Sequence, residues 1–202
     1  MSGGIIGWVT DVIKSSGYLG VAGLIALENI FPPIPSEVIL PLAGVLSGQG
    51  RFSYFGVVAA ATAGSVIGAF VLYAVGYQLG KERVLRLVKR RGHWLFLTED
   101  DLHRASGWFD RHGGKSVLLG RCVPGVRSLI SIPAGIEHMP LGRFTIYTAV
   151  GSGVWNAALV GLGWWLGSQW QQVSQYVQYV EYAIWAGIII AIAWFVWRRW
   201  RS

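Results

Sequence analysis

Glu28-Asn29-Ile30-Phe31-Pro32-Pro33-Ile34-Pro35-Ser36-Glu37 is the stretch whose reading decides the fold. It sets two carboxylates and three prolines between two apolar arms, Ser15 to Leu27 and Val38 to Gly50. Proline removes a backbone donor and drives the preceding residue out of helix, so the chain must break here. Each arm falls short of the ~20 residues that cross a bilayer. A polar loop between two ordinary spans is the alternative, and the short arms count against it. A broken, re-entrant hairpin fits better, because hydrocarbon tolerates interrupted backbone where protein or a water-filled cavity surrounds it. Charge at that depth is costly and marks a functional site by default.

The rest of the chain agrees with a membrane setting. Of 202 residues, 53% are hydrophobic and only 13% charged, with mean hydropathy +0.47. A soluble domain carries charge on about a quarter of its residues. Phe52 to Gly80 and Phe144 to Val180 contain no charged residue, and both are long enough to span. Ile5 to Ile13 is too short and mixed for a cleaved leader, so none is expected. A single cysteine, Cys122, excludes an internal disulfide and a metal cluster. The net charge of +7 gathers in two clusters. It therefore reads as topology and contact with anionic lipid headgroups, not as nucleic-acid binding.

In order, the chain reads as a single membrane domain, 1–202. Residues 1–15 suit an interfacial N-terminal helix, with Asp11 and Lys14 among apolar residues. Repeat 1 covers 16–80, as a re-entrant hairpin at 16–50 and a span at 52–80. A basic cytoplasmic segment follows at 81–115; Lys81, Arg83, Arg86, Lys89, Arg90 and Arg91 face a single Glu82. Positive charge flanking a span marks the cytoplasmic side, and residues 81–91 are the expected contact for anionic headgroups. Repeat 2 covers 116–167, with a hairpin at 116–139 broken at Pro124 and Pro133 and a span at 144–167. A C-terminal span at 180–197 stops at Arg198, Arg199 and Arg201, which put the C-terminus inside. The side of the N-terminus and the oligomeric state, a homo-oligomer included, stay open.

The two repeats are visible as a motif. Gly64-Ser65, Gly76 and Leu79-Gly80 recur at Gly151-Ser152, Gly163 and Leu166-Gly167 with one offset of 87 residues. Upstream, Pro35, Glu37, Pro41 and Gly44 parallel Pro124, Arg127, Pro133 and Gly135, allowing small gaps. Chance would explain the Gly-x-x-Leu-Gly part alone, but two sets in the same order favour duplication. The halves enter from opposite faces, so the repeat is inverted, and interrupted segments at matching positions point to a transporter's binding site. The glycines at four-residue spacing are read as helix packing. The expected fold is thus an all-α integral membrane protein: an inverted repeat of re-entrant broken-helix hairpin plus transmembrane helix, with one further C-terminal transmembrane helix.

The first break, marked by Pro32, Pro33 and Pro35, supplies Glu28 and Glu37; the second, at Pro124, supplies Arg121 and Arg127. One reading is an ion-pair network that only ties the hairpins together, although such pairs add little net stability over apolar packing. The other is a phosphate site. Arginine offers a planar fork of donors and keeps its charge in a membrane. Half-helices starting at Ser36 and after Pro124 would aim their amides at the same spot. Ser36 and Ser128 are secondary phosphate-binding candidates and Asn29 a secondary polar one, although a cap or local hydrogen bond would also explain each. Glu28 and Glu37 are the candidates for proton exchange. His93, His103, His112 and His138 show no metal-like pairing, no phosphate loop or nucleophile elbow is present, and neither a cofactor nor a catalytic residue is expected.

Glu28-x(3)-Pro32-x-x-Pro35-x-Glu37 together with Gly120-Arg121-x-x-Pro124-x-x-Arg127-x(6)-Ala134-Gly135 resembles the DedA family of bacterial inner-membrane proteins, whose domain is also called VTT or SNARE-associated. The likeness runs from about Tyr18 to Gly167 and includes Gly64-Ser65 and Tyr73-x-x-Gly76-x-x-x-Gly80. Ser65 departs from it, standing where some members carry an acid. The resemblance implies two opposed re-entrant hairpins, a multi-pass location in the bacterial cytoplasmic membrane, and lipid translocation dependent on the proton motive force, with undecaprenyl phosphate or phosphatidylethanolamine as cargo. The resulting expectation is a non-enzymatic flippase for a phosphate-bearing lipid, undecaprenyl phosphate foremost, with Arg121 and Arg127 on the phosphate and Glu28 and Glu37 handling protons. A proton-coupled phospholipid (phosphatidylethanolamine) or small-cation transporter is the alternative. A membrane lipid phosphatase lacks a nucleophile, and a scaffold would tolerate loss of all four charges.

Overall fold

A computed structural model describes residues 5–30, 36–91, 107, 109, 111–123 and 126–167. The prolines at 32, 33, 35 and 124 lie outside the described residues, as do most of the polar segment before 111 and the expected C-terminal span at 180–197. The described residues form helices and turns and no strand, as an all-α protein requires. The principal helices are α1 (Ile5–Ile30), α2 (Ser36–Gly48), α3 (Tyr54–Arg91), α4 (Lys115–Gly120), α5 (Ser131–Ile136) and α6 (Leu141–Gly167).

Two of these helices are bent by glycine. Gly17 takes φ 59°, ψ −135° inside α1, and Gly80 takes φ 66°, ψ 171° inside α3. A positive φ is strained for any residue with a Cβ, so the bends sit where the sequence offers glycine. Gly17 separates arm 5–16 from arm 18–30, and Gly80 separates an apolar stretch from the basic one. α2 closes with a Schellman turn: Gly50, at φ 78°, donates to the Ser47 carbonyl and Arg51 to that of Leu46. Pro133 lies in the first turn of α5, where a missing N–H removes no intrahelical bond.

Tyr54–Gly80 is, among the described residues, the helix long and apolar enough to cross a membrane. α6 matches it with 27 residues, about 40 Å of helix. These two helices run antiparallel: Phe144 packs on Phe70 and Tyr73, Asn156 bonds Thr62 and Ser65, and the Tyr54 hydroxyl reaches the Ala157 carbonyl. The other helices pack around this pair through glycine. Arm 18–30 lies on α3, with Ala22 over Gly64 and Ala26 over Gly68, and α4 lies on α6, with Leu118 over Gly151. α2 packs on α6, and α5 packs on α3. Gly163 of α6 faces the Pro41 carbonyl of α2, and Gly76 of α3 faces the Ile132 carbonyl of α5.

Large apolar side chains such as Leu19, Phe55, Ile67, Ile146, Val154 and Leu162 are exposed, whereas Glu28, Asn29, Ser36, Ser65, Arg121, Arg127 and Asn156 are buried beside two apolar clusters. That distribution suits a lipid surround. One buried contact ties the segment after α5 to α3: Tyr73 Oη donates to the Met139 carbonyl at 2.6 Å. Tyr73→Phe is therefore expected to cost about 1–3 kcal/mol of stability, because the carbonyl is left without its donor. Thermal unfolding in detergent measures it.

Candidate functional site

Three chain segments bring the charges together. The end of α1 carries Glu28 and Asn29; the C-cap of α4 carries Arg121; and the turns leading into α5 carry Arg127 and Ser128. Arm 18–30 is held down by Gly68, on which the Asn29 Cβ rests, and α4 by Gly151, on which the Arg121 Cβ rests. Both side chains can thus enter between the helices, since a Cβ on either glycine would collide with them.

The arginines do not share their partners. Arg127 forms an ion pair with Glu28, one Nη2 donating to both carboxylate oxygens, and both side chains are over nine-tenths buried. Arg121, 1% exposed, donates instead to two neutral groups, Asn29 Oδ1 at 3.1 Å and Ser131 Oγ at 2.6 Å. Its Nε finds no partner among the described residues. Asn29 is itself anchored, donating to the Ile25 carbonyl at 3.1 Å, and Ser128 Oγ donates to its Oδ1 at 3.4 Å. The described part of the site therefore holds two guanidiniums against one paired carboxylate. An excess buried cation with spare N–H donors is suited to a phosphate oxygen.

Of the residues singled out from sequence, Glu28, Asn29, Arg121, Arg127 and Ser128 meet here, Asn29 accepting from both Arg121 and Ser128. Ser36 is fully buried at the first position of α2, its hydroxyl without a partner among the described residues. Glu37, next to it, is exposed and pairs with neither arginine among the described residues. Sequence reasoning passed over Ser131, which takes the shorter Arg121 bond, and a second polar layer deeper between α3 and α6, where Thr148, Ser152 and Asn156 are buried on one face of α6. The signal was an amide and hydroxyls at four-residue spacing inside an otherwise apolar span, a spacing that stacks side chains on one helix face.

Comparison with known proteins places the chain in a family. The VTT domain model matches residues 34–165. A protein of Lactococcus lactis subsp. cremoris called "Alkaline phosphatase-like protein" is 45% identical over 82% of this chain and 78% of its own. "Undecaprenyl phosphate transporter A" of Staphylococcus aureus is 35% identical over 93% of this chain and 92% of its own, and the Bacillus subtilis protein of that name is 31% identical over 84% and 80%. No solved structure matches. With a match over most of its length and relatives of this closeness, the chain belongs to the VTT-domain, or DedA, family of membrane proteins.

Proposed function

We propose that this protein is a proton-coupled flippase that moves a phosphate-bearing lipid, undecaprenyl phosphate foremost, across the bacterial cytoplasmic membrane. The observation that carries the reading is Arg121, a buried guanidinium whose described partners are all neutral. A phosphomonoester would supply the missing negative charge and accept from the free edge, while its hydrocarbon tail stays in the bilayer. Arg127 contributes when Glu28 takes up a proton and releases it, so Glu28 links the site to protons; Glu37, exposed near the start of α2, is the second acid on the proton's route. Ser36 and Ser128 add hydroxyls, and the VTT-domain relatives named as undecaprenyl phosphate transporters support this cargo.

The architecture behind this reading is an inverted repeat of re-entrant hairpins, and the glycine contacts support it. Gly44 faces Val160 O and Trp164 N, and Gly135 faces Tyr73 O and Tyr77 N. The two span partners are each 87 residues apart, the offset found in the sequence, and the spans run antiparallel as inversion demands. In this scheme residues 81–91 rest on anionic headgroups and the C-terminus is cytoplasmic. Hydrolysis is the weaker reading despite the phosphatase-like name of one relative: the groups around the arginines are serines and amides, with Glu28 held by Arg127.

Headgroup flipping in proteoliposomes tests the function, with undecaprenyl phosphate beside phosphatidylethanolamine, with and without a proton gradient. Expected is phosphate-lipid flipping that an inward proton gradient accelerates and that Arg121→Ala lowers at least tenfold, the order of loss for a charge-assisted bond. Unchanged flipping in Arg121→Ala would overturn the assignment. Release of inorganic phosphate from the lipid would replace transport with hydrolysis.

A further inference from the structure

Asn156 lies at the centre of the second polar layer, fully buried on α6. Its Nδ2 donates to Thr62 Oγ1 at 3.3 Å and to Ser65 Oγ at 3.4 Å across the α3 interface. Thr62 fixes which way round the amide sits. The one proton of that hydroxyl is spent on the Val58 carbonyl at 2.7 Å, so its oxygen can only accept. The amide must turn its NH2 edge to α3 and its oxygen away. Asn156 Oδ1 is then a buried acceptor with no donor among the described residues. At the matching place in the first half, 87 residues earlier, stands Ala69, also fully buried, so packing alone does not call for an amide there.

The arginine site lies along the same two helices. Gly68, which carries Asn29, is one turn from Ser65 on the same face of α3, and Gly151, which carries Arg121, lies about 7.5 Å of helix rise from Asn156. α2 runs parallel to α6, with Pro41 and Gly44 against Gly163 and Val160, and Gly48 against Trp164. Those contacts pair at two offsets, 116 residues for Gly44 with Val160 and Gly48 with Trp164 and 122 for Pro41 with Gly163; carried back along both helices they set Ser36 level with residues 152 to 158 of α6, a stretch that contains Asn156. Ser36 Oγ, at the amide-rich start of α2, is a buried hydroxyl without a partner among the described residues, as is Thr148 Oγ1 on α6. Among the described buried side-chain groups without a partner, Asn156 Oδ1 alone can only accept. A phosphate dianion offers no proton to an acceptor. A phosphate monoanion offers one.

We propose that Asn156 is a headgroup-reading residue that accepts a hydrogen bond from a proton-bearing group of the bound lipid, the P–OH of a phosphomonoester monoanion, so that the cargo crosses with its own proton. The inference rests on the phosphate-lipid reading above. No bond is made or broken beyond the phosphate's ordinary protonation, whose second step falls near pH 6. The same acceptor chemistry would serve the ammonium of phosphatidylethanolamine.

The test uses the full-length protein in vesicles held at equal pH on both sides. Three lipids are compared: undecaprenyl phosphate, its methyl phosphodiester (one negative charge and no P–OH), and phosphatidylethanolamine. For the wild-type protein, undecaprenyl phosphate at pH 6 is expected to flip about tenfold faster than the diester, the worth of one bond to a charged group, and to lose that advantage by pH 8. Asn156→Leu is expected to bring the two rates at pH 6 level with each other, a selective change that a structural role, lowering both alike, would not produce. Thr62→Val, which frees the amide to turn without removing it, is expected to shrink the advantage and guards against a misfolded Asn156→Leu. Arg127→Ala is expected to move none of the three. A pH 6 preference that survives both Asn156→Leu and Thr62→Val overturns the inference and leaves the arginine site standing. Selective loss of phosphatidylethanolamine in Asn156→Leu overturns it in favour of the ammonium. Wild-type rates retained in Arg127→Ala overturn the phosphate site itself.

Discussion

Arg127→Ala is expected to abolish lipid flipping and to lower stability by about 3–5 kcal/mol, whereas Arg127→Ala combined with Glu28→Gln is expected to recover most of the stability and none of the flipping. The pair lies between helices, each side chain over nine-tenths buried. Removing the guanidinium alone strands a carboxylate in a medium that cannot solvate it, which is the costly half of breaking any buried pair. Replacing Glu28 by its neutral amide removes that penalty, so the double variant separates the structural part of the pair from the functional part. Thermal unfolding in detergent and flipping in proteoliposomes read the two separately. If the double variant flipped lipid as the wild-type protein does, the pair would be a fastening between hairpins and nothing more. A stable, inactive double variant shows that the pair serves transport and not only the fold.

The second large effect concerns the glycine contacts. A Cβ on Gly163 would stand 2.0 Å from the Pro41 carbonyl oxygen, and one on Gly76 would stand 2.2 Å from that of Ile132. Both obstacles are backbone, which no rotamer change can move aside. In a lipid-embedded protein such close approach is the main source of helix–helix affinity, since lipid tails offer no hydrophobic contrast. Gly163→Ala and Gly76→Ala are each expected to cost about 1–3 kcal/mol or more. Their effects should be similar, because each glycine seats a short helix, α2 or α5, against a long one through a backbone carbonyl. Gly23→Ala, where a Cβ meets nothing within 4 Å, should be neutral. Melting temperatures of the three variants decide it; a tolerated Gly163→Ala would mean that α2 and α6 are free to part.

The sequence by itself determined that the chain is a helical membrane protein, and it singled out Glu28, Arg121 and Arg127, which the structure brings together. Each of these follows from local chemistry: proline cannot continue a helix, hydrocarbon excludes stray charge, and glycine at four-residue spacing invites close packing. Glu28, Arg121 and Arg127 stood out because nothing near them in the chain explains their cost. Only the tertiary structure decided the pairing. Glu28 and Arg127 are 99 residues apart, Arg121 and Asn29 are 92 apart, and which guanidinium takes the carboxylate depends on how α4 and α5 seat on α6 and α3. The same seating leaves Glu37 exposed one residue after the buried Ser36, a distinction that helix rotation sets and composition does not. Asn156 was hidden for a related reason. An amide in an apolar span carries no charge to betray it, and its oxygen becomes a lone acceptor only because Thr62 and Ser65, on another helix, claim its nitrogen.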